Sequence, residues 1–140
     1  VIGTVETMLH ELFPDLVSCG DGSFTLSRGS ATVMVVVRAF GEKEFCVECL
    51  SHVVTGAMLD EEVLKYLLRK NSELHFGGFS LLFDDTIAFS YTIPTANLSN
   101  DELSTAVNAV AVIADYYDDE IVAKAGGRRA TDAQELEKAS

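Results

Sequence analysis

GFSLLFDDTIAFSYTIP, residues 78–94, carries bulky apolar side chains at 79, 81 and 83 and again at 87, 89, 91 and 93. A spacing of two is that of a β-strand, in which alternate side chains share a face. Asp84, Asp85 and Thr86 separate the two rows. Residues directly opposite in an antiparallel pair point the same way, so loop length decides whether the rows meet. A two-residue Asp84-Asp85 turn would send them to opposite faces. A three-residue loop, Asp84-Asp85-Thr86, sets Phe83 opposite Ile87, Leu81 opposite Phe89 and Phe79 opposite Tyr91, and this is the expected register. Burying Phe79, Leu81, Phe83, Ile87, Phe89 and Ile93 at about 1.5–3 kcal/mol each would supply much of the hydrophobic term of a small domain.

Upstream, SFTLSRGSATVMVVVRAFGEKEFCVECLSHVV is rich in β-branched residues and reads as three strands punctuated by Gly29 and Gly41. Val33, Val35, Val37 and Ala39 form one apolar face, whereas Thr32, Met34, Val36, Arg38 and Phe40 form a mixed one. Parity places Val37 opposite Phe45, Val35 opposite Val47 and Val33 opposite Cys49, around a Phe40-Gly41-Glu42 tip. Three helices flank these strands. Val5, Met8, Leu9 and Leu12 make an amphipathic helix over residues 4–13, ended by Pro14. In LDEEVLKYLLRKN, Asp60 is a cap, Val63, Leu64, Leu67 and Leu68 form the apolar stripe, and Asn71 is a left-handed stop. Ser99-Asn100-Asp101-Glu102 is a capping box opening a long helix that Gly126 and Gly127 end.

The expected fold is α+β: one domain over residues 1–125, a five-stranded antiparallel sheet with helices on one face, in the order α-β-β-β-α-β-β-α. Residues 126–140 are expected to be a polar tail, or a short helix from Thr131.

A chain of 140 residues with 48% apolar residues suits one packed domain. Its net charge of −12 opposes phosphate backbones and anionic membrane surfaces, so no nucleic acid and no membrane is expected. No apolar run reaches the ~20 residues of a bilayer span, and the first residues lack a secretory signal pattern. Val1 stands where Met is usual, which suggests a trimmed start. Three cysteines make no disulfide framework, and the expected location is cytoplasmic.

No catalytic constellation emerges, so neither an enzyme nor a cofactor is expected. Cys46-Val47-Glu48-Cys49 lacks the second pair a zinc site needs, and on a strand its thiols face opposite ways. His10, His52 and His75 belong to different elements. Asp115, Asp118, Asp119 and Glu120 crowd the end of the last helix against its dipole and read as a solvated face. What remains is unexplained apolar surface. If the valine row faces the helices, Met34, Val36, Phe40, Leu50 and Leu82 point away, and such patches mark contacts with a partner or a second subunit. An alternative is a ligand pocket between sheet and long helix, lined by Phe79, Phe83, Phe89, Tyr91 and Tyr117.

Leu67-Leu68-x-x-Asn71, the glycine and Phe79 opening the next strand, Ile93-Pro94, and the helix start at Leu98 to Leu103 occur in an order that resembles the YbjN-type bacterial family. That family's fold is similar to type III secretion chaperones. The resemblance covers about residues 4–121. It implies the same element order, a small, acidic, often homodimeric protein that holds client segments or regulates, and no catalytic residues.

Overall fold

A computed structural model of the chain describes residues 2–29 and 31–130. The order is α1 (Ile2–Leu12), β1 (Val17–Gly20), β2 (Ser23–Arg28), β3 (Ala31–Ala39), β4 (Phe45–Thr55), α2 (Glu61–Glu73), β5 (Gly78–Leu81), β6 (Ile87–Pro94), α3 (Asn100–Ala125) and β7 (Arg128–Arg129). Among the described residues the class is α+β with three helices, as expected, but the sheet has seven strands rather than five. Its antiparallel order is β1-β2-β3-β4-β6-β5, and β7 pairs with β4. All four residues of β1 are exposed, so no alternation marks it. β7 is two arginines held by Val54 and Thr55, too short for any period. Thr131 onward lies outside the described residues.

Both hairpins keep the expected parity and slip by two residues. Ala39 faces Phe45, Val37 faces Val47 and Val35 faces Cys49. Leu81 faces Ile87 and Phe79 faces Phe89. A shift of two leaves every side chain on its own face, so the apolar pattern cannot register it. Turn chemistry decides instead. The Thr86 amide donates to Asp84 Oδ1 at 3.1 Å, Asp85 is left-handed at φ 65°, and the Leu82 amide closes the tip on Thr86 O at 3.0 Å. The Phe40 amide does the same for its tip, on Glu44 O at 3.0 Å. Each tip thus holds five residues, not three. Phe83 therefore leaves the core at 102% exposure, and Leu81 is 41% exposed.

The valine and phenylalanine rows share the inner face. Phe24, Val33, Val35, Val47, Phe89 and Ile93 are buried there beneath α3, which lies across β3, β4 and β6 and offers Leu103, Ala106, Val107, Val110 and Ala114. Val5 and Leu9 of α1 pack into the same core. Opposite β6, β4 carries a bulge: His52 faces Ala88 and Val54 faces Ile87, leaving Val53 as the extra residue. Both Val53 and Val54 are consequently buried.

The caps read from the sequence are present. The Val63 amide donates to Asp60 Oδ1 at 3.0 Å, and the Glu102 amide to Ser99 Oγ at 3.1 Å. Asn71 does not stop α2, which runs on to Glu73. Its amide instead latches β5: the Phe79 amide donates to Asn71 Oδ1 at 2.6 Å, and Asn71 Nδ2 donates to Phe79 O at 3.2 Å.

Candidate functional site

On the sheet face away from α3, β3 and β4 alternate half-buried side chains. Met34 lies directly across from Leu50, and Val36 sits two residues along β3 from Met34, facing Glu48. These three form one continuous apolar strip. Arg38, the next outward residue, pairs with Glu48 at 3.6 Å and gives the strip a charged border. Phe40 extends it beyond the end of β3. At 55% exposure its ring borders a hollow of about 360 Å³ shared with Cys46, Ile93 and Pro94, and another of about 280 Å³ shared with Phe45, Pro94 and Thr95. Leu82 does not join them. It sits in the β5–β6 tip, two strands beyond β4 and at the opposite end of the sheet.

A second apolar surface escaped the sequence reading. β5, which ends at Leu81, packs beside α2, whose Leu64 and Leu68 are 37% and 69% exposed, and Phe83 follows two residues on in the exposed tip. The expected stripe of Val63, Leu64, Leu67 and Leu68 is two adjacent rows at i, i+4, too wide for the edge strand beneath. Val63 and Leu67 are buried, and the other row is left outside. The width of that stripe was the available signal.

The remaining candidates resolve into structural roles. Cys49 is buried, and desolvation pushes its thiol up to about 12; Cys46 is paired with Arg38 and half-exposed. Alternation along β4 turns the two thiols to opposite faces. Among the described residues no group of three His, Cys, Asp or Glu converges to hold a metal. Asp118 is not a solvated acid: it is 5% exposed, accepts from the Asp119 amide, and burial raises its pKa.

The space between sheet and α3 is filled. Phe79 meets Phe89 edge-on at 5.1 Å between ring centroids and Tyr117 at 5.7 Å, with Val107 and Val110 fully buried behind them. Of the aromatics expected to line a pocket, Phe79, Phe89, Tyr91 and Tyr117 are themselves the packing, whereas Phe83 stands outside it. No helix among the described residues is long and apolar enough to cross a membrane.

A family model described as "T3SS (YopN, CesT) and YbjN peptide-binding chaperone 1" matches residues 1–133. Matching solved structures include the crystal structure of the ExsC-ExsE complex, with a TM-score of 0.69 and 15% identity over 86% of this chain and 96% of that one. At that identity the likeness concerns the fold. No curated protein matches the chain. The family match and the filled core together overturn the small-ligand alternative.

Proposed function

The chain belongs to the TY-Chap1 family of T3SS and YbjN peptide-binding chaperones, and from that premise we propose that it holds an extended segment of a protein partner in the cytoplasm, without catalysis. The observation that carries this reading is the family match over residues 1–133. The strip of Met34, Val36 and Leu50, prolonged by Phe40, supplies a surface of the right kind: apolar, shallow and bordered by charge. Leu82, remote from that strip, takes no part in it. A net charge of −12 favours a basic client and disfavours nucleic acid and anionic membranes.

Homodimerisation is the reading of that second surface. Leu64, Leu68, Leu81 and Phe83 are too much exposed apolar area for α2 and β5 to leave to water, and a second copy would cover it. Light scattering should give twice the chain mass for wild type and the monomer mass for Leu68→Ser with Phe83→Ser; a monomeric wild type refutes the dimer. For the client, affinity purification from native lysate followed by mass spectrometry should recover partners that Val36→Asp with Phe40→Ser loses. Equal recovery by a folded double variant refutes the assignment of the strip.

A further inference from the structure

On the helical layer, across the sheet from the proposed client strip, α2 and the end of α3 border a groove of about 380 Å³. Lys65, Arg69 and Lys70 of α2 and Lys124 of α3 line it around Tyr66. Four of the chain's 10 Lys and Arg thus line one concave site beside three acids, a lining balance of +1 in a protein of net charge −12.

Asp60, Glu62 and Glu73 line the groove as well, but two of them are occupied: Asp60 caps α2 and Glu73 holds Lys70 at 3.0 Å. Lys65 is held by Glu61 at 2.7 Å. Arg69 and Lys124 make no ion pair with any described residue. Lys124 Nζ instead lies 4.9 Å over the Tyr66 ring, with Lys70 Nζ 5.5 Å over the same ring and 5.9 Å over Tyr117. The Tyr66 hydroxyl is buried and meets no hydrogen-bond criterion with a partner among the described residues. Burial first, and then the neighbouring Glu120 carboxylate, push its pKa up and keep it a donor.

We propose that this groove binds a single oxyanion, the carboxylate of an acidic peptide or a phosphate group, between the Lys124 ammonium, the Arg69 guanidinium and the Tyr66 hydroxyl. The two cations supply charge-assisted hydrogen bonds, and arginine can grip two oxygens at once. The hydroxyl has already lost its water, so an incoming oxygen satisfies it at no further desolvation of the donor. Lys70 and Lys124 must swing off the ring to admit the ligand, which their long side chains permit. Asp60, Glu62 and Glu73, with Glu120 beside Tyr66, match the four cations in number, so the groove has no net excess to draw a polyanion, and one oxyanion is gripped by the two cations that no acid holds. The site is separate from the client strip, and either can fail alone.

The test is an amide chemical-shift titration of the full chain, once with inorganic phosphate and once with a capped tetraglutamate peptide. At least one probe should give saturable shifts centred on residues 66, 69, 70 and 124. Arg69→Gln with Lys124→Gln should weaken binding about tenfold or more, and Tyr66→Phe about threefold. Lys43→Gln, on the β3–β4 tip, should leave it unchanged. Saturation by phosphate alone, or by the peptide alone, identifies the source of the oxyanion. If the double variant fails to fold, Lys124→Gln alone carries the comparison. Absence of saturable shifts with both probes, or unchanged affinity in the groove variants, overturns the proposal.

Discussion

Replacing Asn71 by Ala should destabilise the protein by about 2–3 kcal/mol. β5 is an edge strand: its inner flank is paired with β6, and its outer flank would expose the Phe79 amide and carbonyl. The Asn71 side chain takes both, accepting from the amide at 2.6 Å and donating to the carbonyl at 3.2 Å. A buried backbone group stripped of its partner costs about 1–3 kcal/mol, and two groups at the lower end of that range, because water reaches part of the site, give the stated figure. Were Asn71 only a surface residue of α2, the same change would stabilise the helix by about 0.5 kcal/mol, so the two accounts differ in sign. Urea unfolding decides between them: the midpoint should fall with an unchanged slope, and the Phe79 amide should lose hydrogen-exchange protection. A loss below about 0.5 kcal/mol, or any gain, refutes the latch.

Gly77→Ala should be the more severe change, about 3 kcal/mol or worse by the same assay, because φ is +77° and a Cβ would run into Ser90 O and the Phe89 ring. Gly126→Ala, with nothing within 4 Å but at φ +72° and ψ −158°, a region essentially only glycine enters, should cost about 2–3 kcal/mol through backbone strain alone. Asp118→Asn should raise stability at neutral pH. Burial lifts the folded pKa above the unfolded value near 3.8, so the wild-type fold loses stability as pH rises through that interval, and the advantage of Asn should vanish below it. Alkylation of the native protein should modify exposed Cys19 first and spare Cys49, whose thiol sits at about 12, until denaturant is added. Early labelling of Cys49 contradicts its place in the core.

The parts of this fold that depend on period and on capping chemistry were legible in the letters. Val33, Val35, Val37, Phe79 and Phe89 were placed on one face because parity survives any slip of two residues. Asp60 and Ser99 were found because a cap needs only an oxygen at one position. What failed depends on loop geometry or on tertiary width. The three-residue β5–β6 tip and the burial of Leu81 and Phe83 fell to an Asp84 turn that period cannot report. Leu64 and Leu68 look like core until the strand under α2 proves to be an edge of four residues. Asn71 has the composition of a helix stop, and its role as a latch appears only when residue 79 is brought beside it. The apolar strip was half visible: Met34, Val36 and Leu50 followed from parity, whereas Leu82 shared their alternation but not their end of the sheet.

The roof of the sheet, α3, is encoded after every strand it shelters except β7. On a ribosome, Val33, Val35, Val47 and Phe89 therefore emerge and can pair while their cover is still untranslated. A protein of a chaperone family is, for the seconds before residues 100–125 appear, a nascent chain with a bare greasy sheet, and truncation ahead of α3 should leave it permanently adhesive.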